Sequence, residues 1–197
     1  DSSKKAKATK KAKNSSDKPP ILQEGGGFEP DKVIVYKKID SRKRPPELHL
    51  FLPEGYQTTD RRPVGVFFFG GGWSGNNPKQ FYPQAKYFAS RGMVAICATY
   101  RSNSAYKTQP YDCVEDAKSA VRYVRGHAKE LGIDPAKILV GGGSAGGHLA
   151  AATATIKDWD CEQDDLTISA MPNALMLFNP VFDNGPGGYA NNEKDSR

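Results

Sequence analysis

Hydrophobic and polar residues alternate along two short stretches near the start of the chain, residues 32–37 and residues 47–52. Alternation with a period of two is typical of a half-exposed strand, and the two stretches are close enough in sequence to pair. They predict an antiparallel hairpin at one edge of a sheet. His49 falls on the polar face of the second strand, so we expect it at the surface.

Three later stretches are apolar on both faces, which is expected for strands of a parallel sheet that helices cover on either side. These stretches are residues 63–69, 93–99 and 174–178. A shorter apolar run at residues 138–140 follows a turn at Asp134 and Pro135, and it predicts a further strand.

Apolar residues at helical spacing separate these strands. Residues 80–90 form one such segment, which should end before Gly92, and residues 111–131 form a longer one that should end at Gly132. The predicted inner face of the longer helix consists of Val114, Ala117, Val121 and Val124. Helices that alternate with strands predict an α/β fold, with a mainly parallel sheet, helices on both faces and an antiparallel N-terminal hairpin. Sites in such folds lie at the carboxyl ends of the strands.

The excess of positive charge is confined to the N-terminal tail. Of the net charge of +6, residues 1–20 contribute +5, from seven lysines and two aspartates. Residues 1–20 contain no large apolar side chain and cannot repay the entropy cost of folding, so we predict a disordered, Lys-rich tail and linker over residues 1–27. The remaining charge gives no reason to expect specific nucleic-acid binding. Residues 28–197 form the predicted domain.

Membrane spans, metal sites and disulfide frameworks are all disfavoured by the sequence. The longest apolar runs, around residues 67–69 and 93–98, are far too short to cross a bilayer. Cys97, Cys113 and Cys161 are irregularly spaced, and Cys97 lies in an apolar strand as a small buried residue. We expect no cofactor. The sequence does not fix the compartment, and a secreted or periplasmic location is our working expectation.

A glycine-rich stretch follows the short strand at residues 138–140, and an alanine-rich helical segment follows the glycines. Gly142, Ser144 and Gly146 fit the pattern Gly-x-Ser-x-Gly. In a nucleophile elbow, a strand turns so sharply into a helix that the serine is held in a strained backbone conformation with its hydroxyl exposed. Only residues without side-chain bulk fit two positions away from it. The pattern predicts a nucleophile elbow centred on Ser144.

Two other glycine-rich motifs compete for the same stretch. Gly141, Gly143 and Gly146 also satisfy the Gly-x-Gly-x-x-Gly pattern of dinucleotide-binding folds. That motif belongs early in the fold and needs an acidic residue about 20 positions later at the tip of a strand. Here several strands come first, and the acidic residues at that distance lie in a polar loop. A phosphate-binding Walker loop is excluded because no Lys-Ser or Lys-Thr follows the glycines.

Six short motifs occur in order along the chain. They are Gly-Gly-Gly-Trp at 70–73, Tyr-Arg at 100–101, Glu-Asp-Ala at 115–117, Gly-Ile-Asp-Pro at 132–135, Gly-Gly-Ser-Ala-Gly-Gly-His-Leu-Ala at 142–150 and Leu-Phe-Asn-Pro at 177–180. This ordered combination resembles the α/β-hydrolase esterases, most closely the hormone-sensitive-lipase and acetyl-xylan or feruloyl esterase types. The combination is far more specific than any one of the motifs.

The resemblance implies that Ser144 attacks an ester carbonyl. It also implies an oxyanion hole built from the backbone amides of Gly71, Gly72 and Ala145, where each donor can contribute about 3 kcal/mol in the transition state. Trp73 is the implied substrate-binding residue. The implied function is a serine carboxylesterase that acts on short acyl esters, either small molecules or acetyl and feruloyl esters carried by plant polysaccharide.

Two departures from the family pattern affect these expectations. Phe69 stands where the family's glycine loop usually begins with histidine, so we expect altered support of the loop and retained catalysis. No histidine follows His148, although the triad order is serine, acid, histidine. We expect His148 to pack under the elbow and His127 to face solvent, which leaves Asp183 without a histidine to orient. We therefore expect a fragment that lacks the triad acid and histidine and is inactive by itself.

Two other functions stay open at this point. A serine peptidase of the prolyl-oligopeptidase type would share the elbow, and would prefer aminoacyl amides to acyl esters. A non-catalytic α/β-hydrolase-like binding module would share the fold, and would lack the base altogether. A comparison of ester and amide hydrolysis separates the first from an esterase.

Overall fold

The computed structural model describes residues 28–39 and 43–189. The predicted tail and linker over residues 1–27 lies outside the described residues. Within the described ranges, no helix combines the length and the apolar character that a membrane crossing requires.

In the described residues, six strands form one mixed sheet. They are β1 Lys32–Val35, β2 Glu47–Phe51, β3 Arg62–Phe68, β4 Val94–Ala98, β5 Ile133–Gly143 and β6 Ala174–Phe178. Their order across the sheet is β1-β2-β4-β3-β5-β6. β1 and β4 both run antiparallel to β2, whereas β4, β3, β5 and β6 are parallel to one another. The predicted α/β architecture, with its N-terminal antiparallel pair, is confirmed.

Helices connect the parallel strands. In the described ranges they are α1 Tyr82–Ser90, α2 Asn103–Tyr106, α3 Pro110–Gly126 and α4 Ala145–Thr155, and a 3-10 turn at Pro78–Phe81 precedes α1. α3 begins with a capping box, in which the backbone amide of Gln109 donates to Asp112 Oδ2 at 2.7 Å. Pro110 suits the first helical position because the amide that it lacks would have no partner there.

Side chains of the central strands alternate between two hydrophobic layers, one on each face of the sheet. Val64, Val66 and Phe68 of β3 pack in the layer that contains α3 and α4, whereas Phe67 packs in the layer that contains α1. The predicted inner face of α3 is fully buried in the first layer: Val114, Ala117, Val121 and Val124. Cys97 of β4 is buried in the second layer, as predicted.

Two element boundaries differ from the sequence-based prediction. α3 ends at Gly126, earlier than the predicted residue 131, because the chain turns there to pass close to the loop before β3. At Gly132, which has a φ of 56°, a Cβ would lie 2.6 Å from the carbonyl oxygen of Gln57. β5 begins at Ile133 instead of residue 138, since Ile133 pairs with Arg62 across an irregularity in the β3–β5 ladder.

Two predictions of burial were wrong. β6 was expected to be buried on both faces, but it is the last strand of the described sheet, and Leu175 and Phe178 are 39% and 38% exposed. His49 was expected at the surface and is only 7% exposed. The start of α1 covers this part of β2, and Tyr82 makes a short hydrogen bond with His49 Nδ1. Glu47 contacts the other ring nitrogen at 3.2 Å.

A buried ionic network attaches the loop before β6 to α3. Lys118 is 3% exposed, and its ammonium contacts Asp160 at 2.7 Å and donates to the carbonyl of Asp158 at 2.7 Å. Arg122 contacts both Asp160 and Asp164. Burial alone would raise the pKa of Asp160, but the hydrogen bonds from Lys118 and Arg122 outweigh it and hold that pKa below its usual value. The loop is therefore fixed by charge pairing.

Candidate active site

The predicted elbow lies at the carboxyl end of β5. Ser144 has a φ of 52° and a ψ of −119°, in a region that residues with a side chain rarely adopt. Its amide donates to the carbonyl of Phe178 at 3.0 Å, and its carbonyl accepts from the amides of His148 at 3.0 Å and Val181 at 3.3 Å. These bonds hold the strained backbone in place, which is the condition under which such strain persists.

Glycines surround Ser144 because three backbone segments meet there. A Cβ on Gly146 would contact the carbonyl oxygen of Phe68 and would lie 2.6 Å from that of Phe69. A Cβ on Gly142 would lie 2.5 Å from the backbone of Gly146. Real Cβ atoms essentially never come this close to other atoms, so α4 rests directly on the backbone of β3 and β5. The structure confirms the steric reason for the pattern at residues 142–146.

The second glycine cluster, which we name the glycine loop (residues 70–75), lies beside the elbow. A Cβ on Gly70 would lie 3.2 Å from Ser144 Cβ. Gly71 and Gly72 have φ values of 118° and 58°, which favour glycine, and the amide of Gly75 donates to the carbonyl of Gly71 at 2.8 Å. The loop is thus a tight turn whose backbone approaches Ser144.

Three amides at this site are available as donors. Within the described part of the chain, the amides of Gly71, Gly72 and Ala145 donate to no other group. Ala145 is the first residue of α4, so its amide belongs to the positive end of the helix dipole. The Ser144 side chain, which makes no capping hydrogen bond to α4, is likewise available. Their assignment to the oxyanion hole stays a prediction, and this geometry is what it requires.

Two side chains support the glycine loop in a way that the sequence did not predict. Gln80 Oε1 accepts from the amide of Gly70 at 2.6 Å, and the Tyr100 hydroxyl donates to the carbonyl of Phe69 at 3.0 Å. Phe69 and Tyr100 also stack, with ring centroids 4.2 Å apart. The altered support that was expected from Phe69 is therefore an aromatic stack with a hydrogen bond. No local sequence signal identifies Gln80, since its contact depends on how the 3-10 turn folds back.

Trp73 and His148 contact each other across the site. Trp73 is 7% exposed, and its indole Nε1–H donates to His148 Nδ1 at 3.3 Å. The predicted role of Trp73 in substrate binding stays a prediction, although little of the indole is accessible. Burial lowers the pKa of His148, which favours the neutral ring that this hydrogen bond needs.

The three histidines of the chain all have ring partners other than Ser144. His49 contacts Glu47 and Tyr82, His148 contacts Trp73, and His127 Nδ1 donates to the carbonyl of Tyr123 at 2.9 Å.

Asp183 lies in the segment after β6, where its Oδ1 accepts from the amide of Gly185 at 2.8 Å. No group of His, Cys, Asp and Glu side chains in residues 28–39 and 43–189 could hold a metal ion. The described residues therefore bring together Ser144 and three amides without a partner, and the nucleophile role of Ser144 stays a prediction.

Known proteins share this arrangement of sequence and fold. The BD-FAE family model matches residues 48–183. Esterase 2 of Thermogutta terrifontis, in its apo structure, is 50% identical with a TM-score of 0.76, and the match covers 82% of this chain and 59% of that one. Carboxylesterase NlhH of Mycobacterium tuberculosis is 35% identical over 99 residues, which are 49% of this chain and 30% of the relative. The acetylxylan esterase of Xylanibacter ruminicola is 32% identical over 133 residues, 67% of this chain and 24% of the relative.

The chain spans less than two thirds of each of these relatives. The family model nevertheless extends from β2 to the segment after β6, and it includes both the glycine loop and the elbow. Since this match covers more than half of the sequence, the chain belongs to the BD-FAE family and has the fold of the α/β-hydrolase esterases.

Proposed function

We propose that the protein carrying this chain is a serine carboxylesterase that hydrolyses short acyl esters through an acyl-enzyme on Ser144. The observation that carries the proposal is the combination of a serine with a strained backbone, whose side chain makes no capping hydrogen bond, and three amides without a partner at the same site. Ser144 lies at a positive φ, and the amides of Gly71, Gly72 and Ala145 have no described partner. A structural turn would not need this combination, because unused donors and backbone strain both cost stability.

The proposed reaction has two steps. In the first, Ser144 Oγ forms a bond to the ester carbonyl carbon, the ester C–O bond breaks, and the alcohol leaves with the serine proton. In the second, water attacks the acyl carbon, the bond to Oγ breaks, and the carboxylic acid leaves. The amide donors would stabilise the negative charge on the carbonyl oxygen in both steps. The reaction also requires a base that takes the serine proton and an acid that orients this base, and each of the three histidines in these 197 residues has another ring partner.

Structures of one relative support a short acyl group. Structures of esterase 2 of Thermogutta terrifontis are described as bound to propionate and to butyrate. Another is described as phosphorylated by paraoxon, a reaction that requires a nucleophile in that protein. For the protein studied here we propose acetyl to butyryl esters, on small alcohols or on polysaccharide as in the relative named acetylxylan esterase.

A non-catalytic binding module is the second candidate, and the engagement of all three histidines favours it. A measurement of ester hydrolysis distinguishes the esterase from the binding module. In the full-length protein, Ser144→Ala should reduce p-nitrophenyl acetate hydrolysis by about 10³-fold or more. Ser90→Ala, at the exposed end of α1, is the matched control and should hydrolyse the ester at the parent rate.

A covalent test does not depend on turnover. Paraoxon should transfer its diethylphosphoryl group to Ser144 of the full-length protein, with release of p-nitrophenol, and mass spectrometry of the peptide around residue 144 reads the product. Equal hydrolysis by the parent and Ser144→Ala, or phosphorylation at another residue only, would show that the nucleophile is misassigned. A parent without any turnover would favour the binding module.

A further inference from the structure

Trp73 holds a backbone conformation that needs support. Its φ of 56° lies in the left-handed region, which residues with a side chain rarely adopt. It follows Gly71 and Gly72 directly, so its position affects the two amides that are predicted to belong to the oxyanion hole. The carbonyl of Trp73 accepts from the amide of Asn103 at 2.8 Å, which fixes the outer side of the loop.

The inner side is held by His148. The two rings form a T-shaped pair, with centroids 5.2 Å apart and an interplanar angle of 86°. The indole Nε1–H donates to His148 Nδ1 at 3.3 Å. An indole nitrogen can only donate, so Nδ1 must carry a lone pair, and the proton of the neutral imidazole is on Nε2. His148 in turn is one helical turn from the nucleophile, and its amide donates to the carbonyl of Ser144 at 3.0 Å.

We infer that Trp73 and His148 form a latch that sets the distance between the glycine loop and Ser144, and that protonation of His148 opens it. The effect of this latch on catalysis rests on the proposed esterase function. Both side chains are positioning residues: they act through the amides of Gly71 and Gly72 and do not touch the reacting atoms.

Protonation would place a second N–H on the ring, and that N–H would point at the indole N–H. Two donors cannot share a hydrogen bond, so the contact would be lost, and Trp73 would keep its backbone bond to Asn103 without any support from His148. The neutral state is favoured at neutral pH because burial lowers the pKa of His148.

Few charges face the latch. α4 and residues 70–77 contain no other charged side chain, and the segment after β6 brings Asp183 and the phenol of Tyr189, whose ring lies 6.3 Å from that of Trp73. β6, which also packs on α4, has no charged residue. The charged residues of β3 and β5 are Arg62, Asp134 and the exposed Lys137, and the buried charges of α3 are Asp116, Lys118 and Arg122.

Fluorescence of the 197-residue chain tests the latch without any assay of activity. The chain has two tryptophans, so Trp159→Phe leaves Trp73 as the only tryptophan, which excitation at the red edge of the absorption band selects over tyrosine. An imidazolium beside an indole quenches its emission, so we expect a sigmoidal loss of Trp73 fluorescence as the pH falls. Its midpoint should lie below about 6.5, the ordinary value for histidine. Circular dichroism at each pH separates this change from unfolding.

Three variants in the Trp159→Phe background decide the assignment. His148→Phe retains an aromatic ring but has no hydrogen-bond acceptor. His148→Gln retains an acceptor, but its side chain cannot be protonated. The fluorescence transition should therefore disappear in both variants. His127→Gln is the matched control, because His127 stacks on Tyr123 with a centroid distance of 3.9 Å, and the transition should persist. A parent without the transition, or a transition that survives in His148→Phe, would overturn the latch.

Kinetics of the full-length esterase test the catalytic part. His148→Phe and Trp73→Phe should each lower kcat by about 10-fold to 100-fold, since small displacements of catalytic groups have effects of this size. KM should change little, and His148→Gln should recover most of kcat. An unchanged kcat in His148→Phe would refute the catalytic role of the latch, but it would not contradict the contact between Trp73 and His148. A Ser144→Ala variant that stays active would instead refute the proposed function, and the fluorescence result would be unaffected.

Discussion

Replacement of Gly146 by alanine should force α4 away from β3. The new Cβ would contact the carbonyl oxygen of Phe68 and would lie 2.6 Å from the carbonyl oxygen of Phe69. Both atoms belong to the backbone at the end of β3, so no rotamer change can relieve the contact. The helix itself must move until both contacts reach at least 3.0 Å, and Ser144 lies at its amino end.

Two opposing terms set the size of the effect. Alanine improves helix propensity over glycine by about 1 kcal/mol. Overpacking costs about 1–3 kcal/mol, and a rigid backbone partner places this case at the upper end of the range. The net loss in the free energy of unfolding is about 1–2 kcal/mol. With a urea dependence of about 2 kcal/mol/M, the unfolding midpoint should fall by about 0.5–1 M.

Urea unfolding of the chain, followed by circular dichroism, measures this shift. Gly126→Ala is the matched control, because it is also a helical glycine and a Cβ there would meet only the terminal methyl of Ile168, at 2.9 Å. That methyl can rotate away, so the control should keep its midpoint or raise it. If Gly146→Ala unfolds at the same urea concentration as the parent or at a higher one, the direct contact between α4 and the sheet is refuted.

Three further predictions concern the loop, the ionic network and the buried thiols. Gly71→Ala should lower kcat of the full-length protein on p-nitrophenyl acetate by about 10²-fold, because alanine strains the φ of 118°, and normal turnover would remove Gly71 from the oxyanion hole. The lowered pKa of Asp160 means that its contribution to stability is complete above about pH 4 and is lost as the pH falls through the folded value. As the pH is lowered below 4, the urea unfolding midpoint of Asp160→Asn should therefore fall less steeply than that of the parent. Parallel curves of midpoint against pH would contradict the ion pairing of Asp160. Burial raises the pKa of Cys113 to about 12 and that of Cys97 further, so neither thiol should react with an aromatic disulfide reagent at about pH 8 before unfolding, and rapid labelling of the native protein would contradict this.

The elbow could be predicted from sequence because its steric requirement is local. Gly142 and Gly146 lie two positions from Ser144, and a turn this sharp places their α-carbons against backbone whatever the rest of the fold does. The supports of the glycine loop could not be predicted in the same way. Gln80 and Tyr100 reach it from separate elements, and their contacts depend on how those elements pack.

Burial was predictable only where both neighbours of a strand could be inferred. β3 lies in the middle of the sheet, and its apolar residues on both faces correctly indicated cover on both sides. The same pattern in β6 was misleading, since a strand's place in the sheet order is a non-local property. His49 shows the opposite case, in which the partners Glu47 and Tyr82 allow a polar side chain to be buried.

The hydrogen bond from the Ser144 amide to Phe178 has a consequence for the order in which the site forms and opens. Phe178 ends β6, the outermost strand of the described sheet, and Val181 just beyond it donates to the Ser144 carbonyl. Outer strands take part in local opening more readily than central ones. The backbone conformation of Ser144 therefore keeps both hydrogen bonds only while β6 is docked. In the 197-residue chain, the amide hydrogen of Ser144 should exchange with solvent at the rate of β6, well before those of β3.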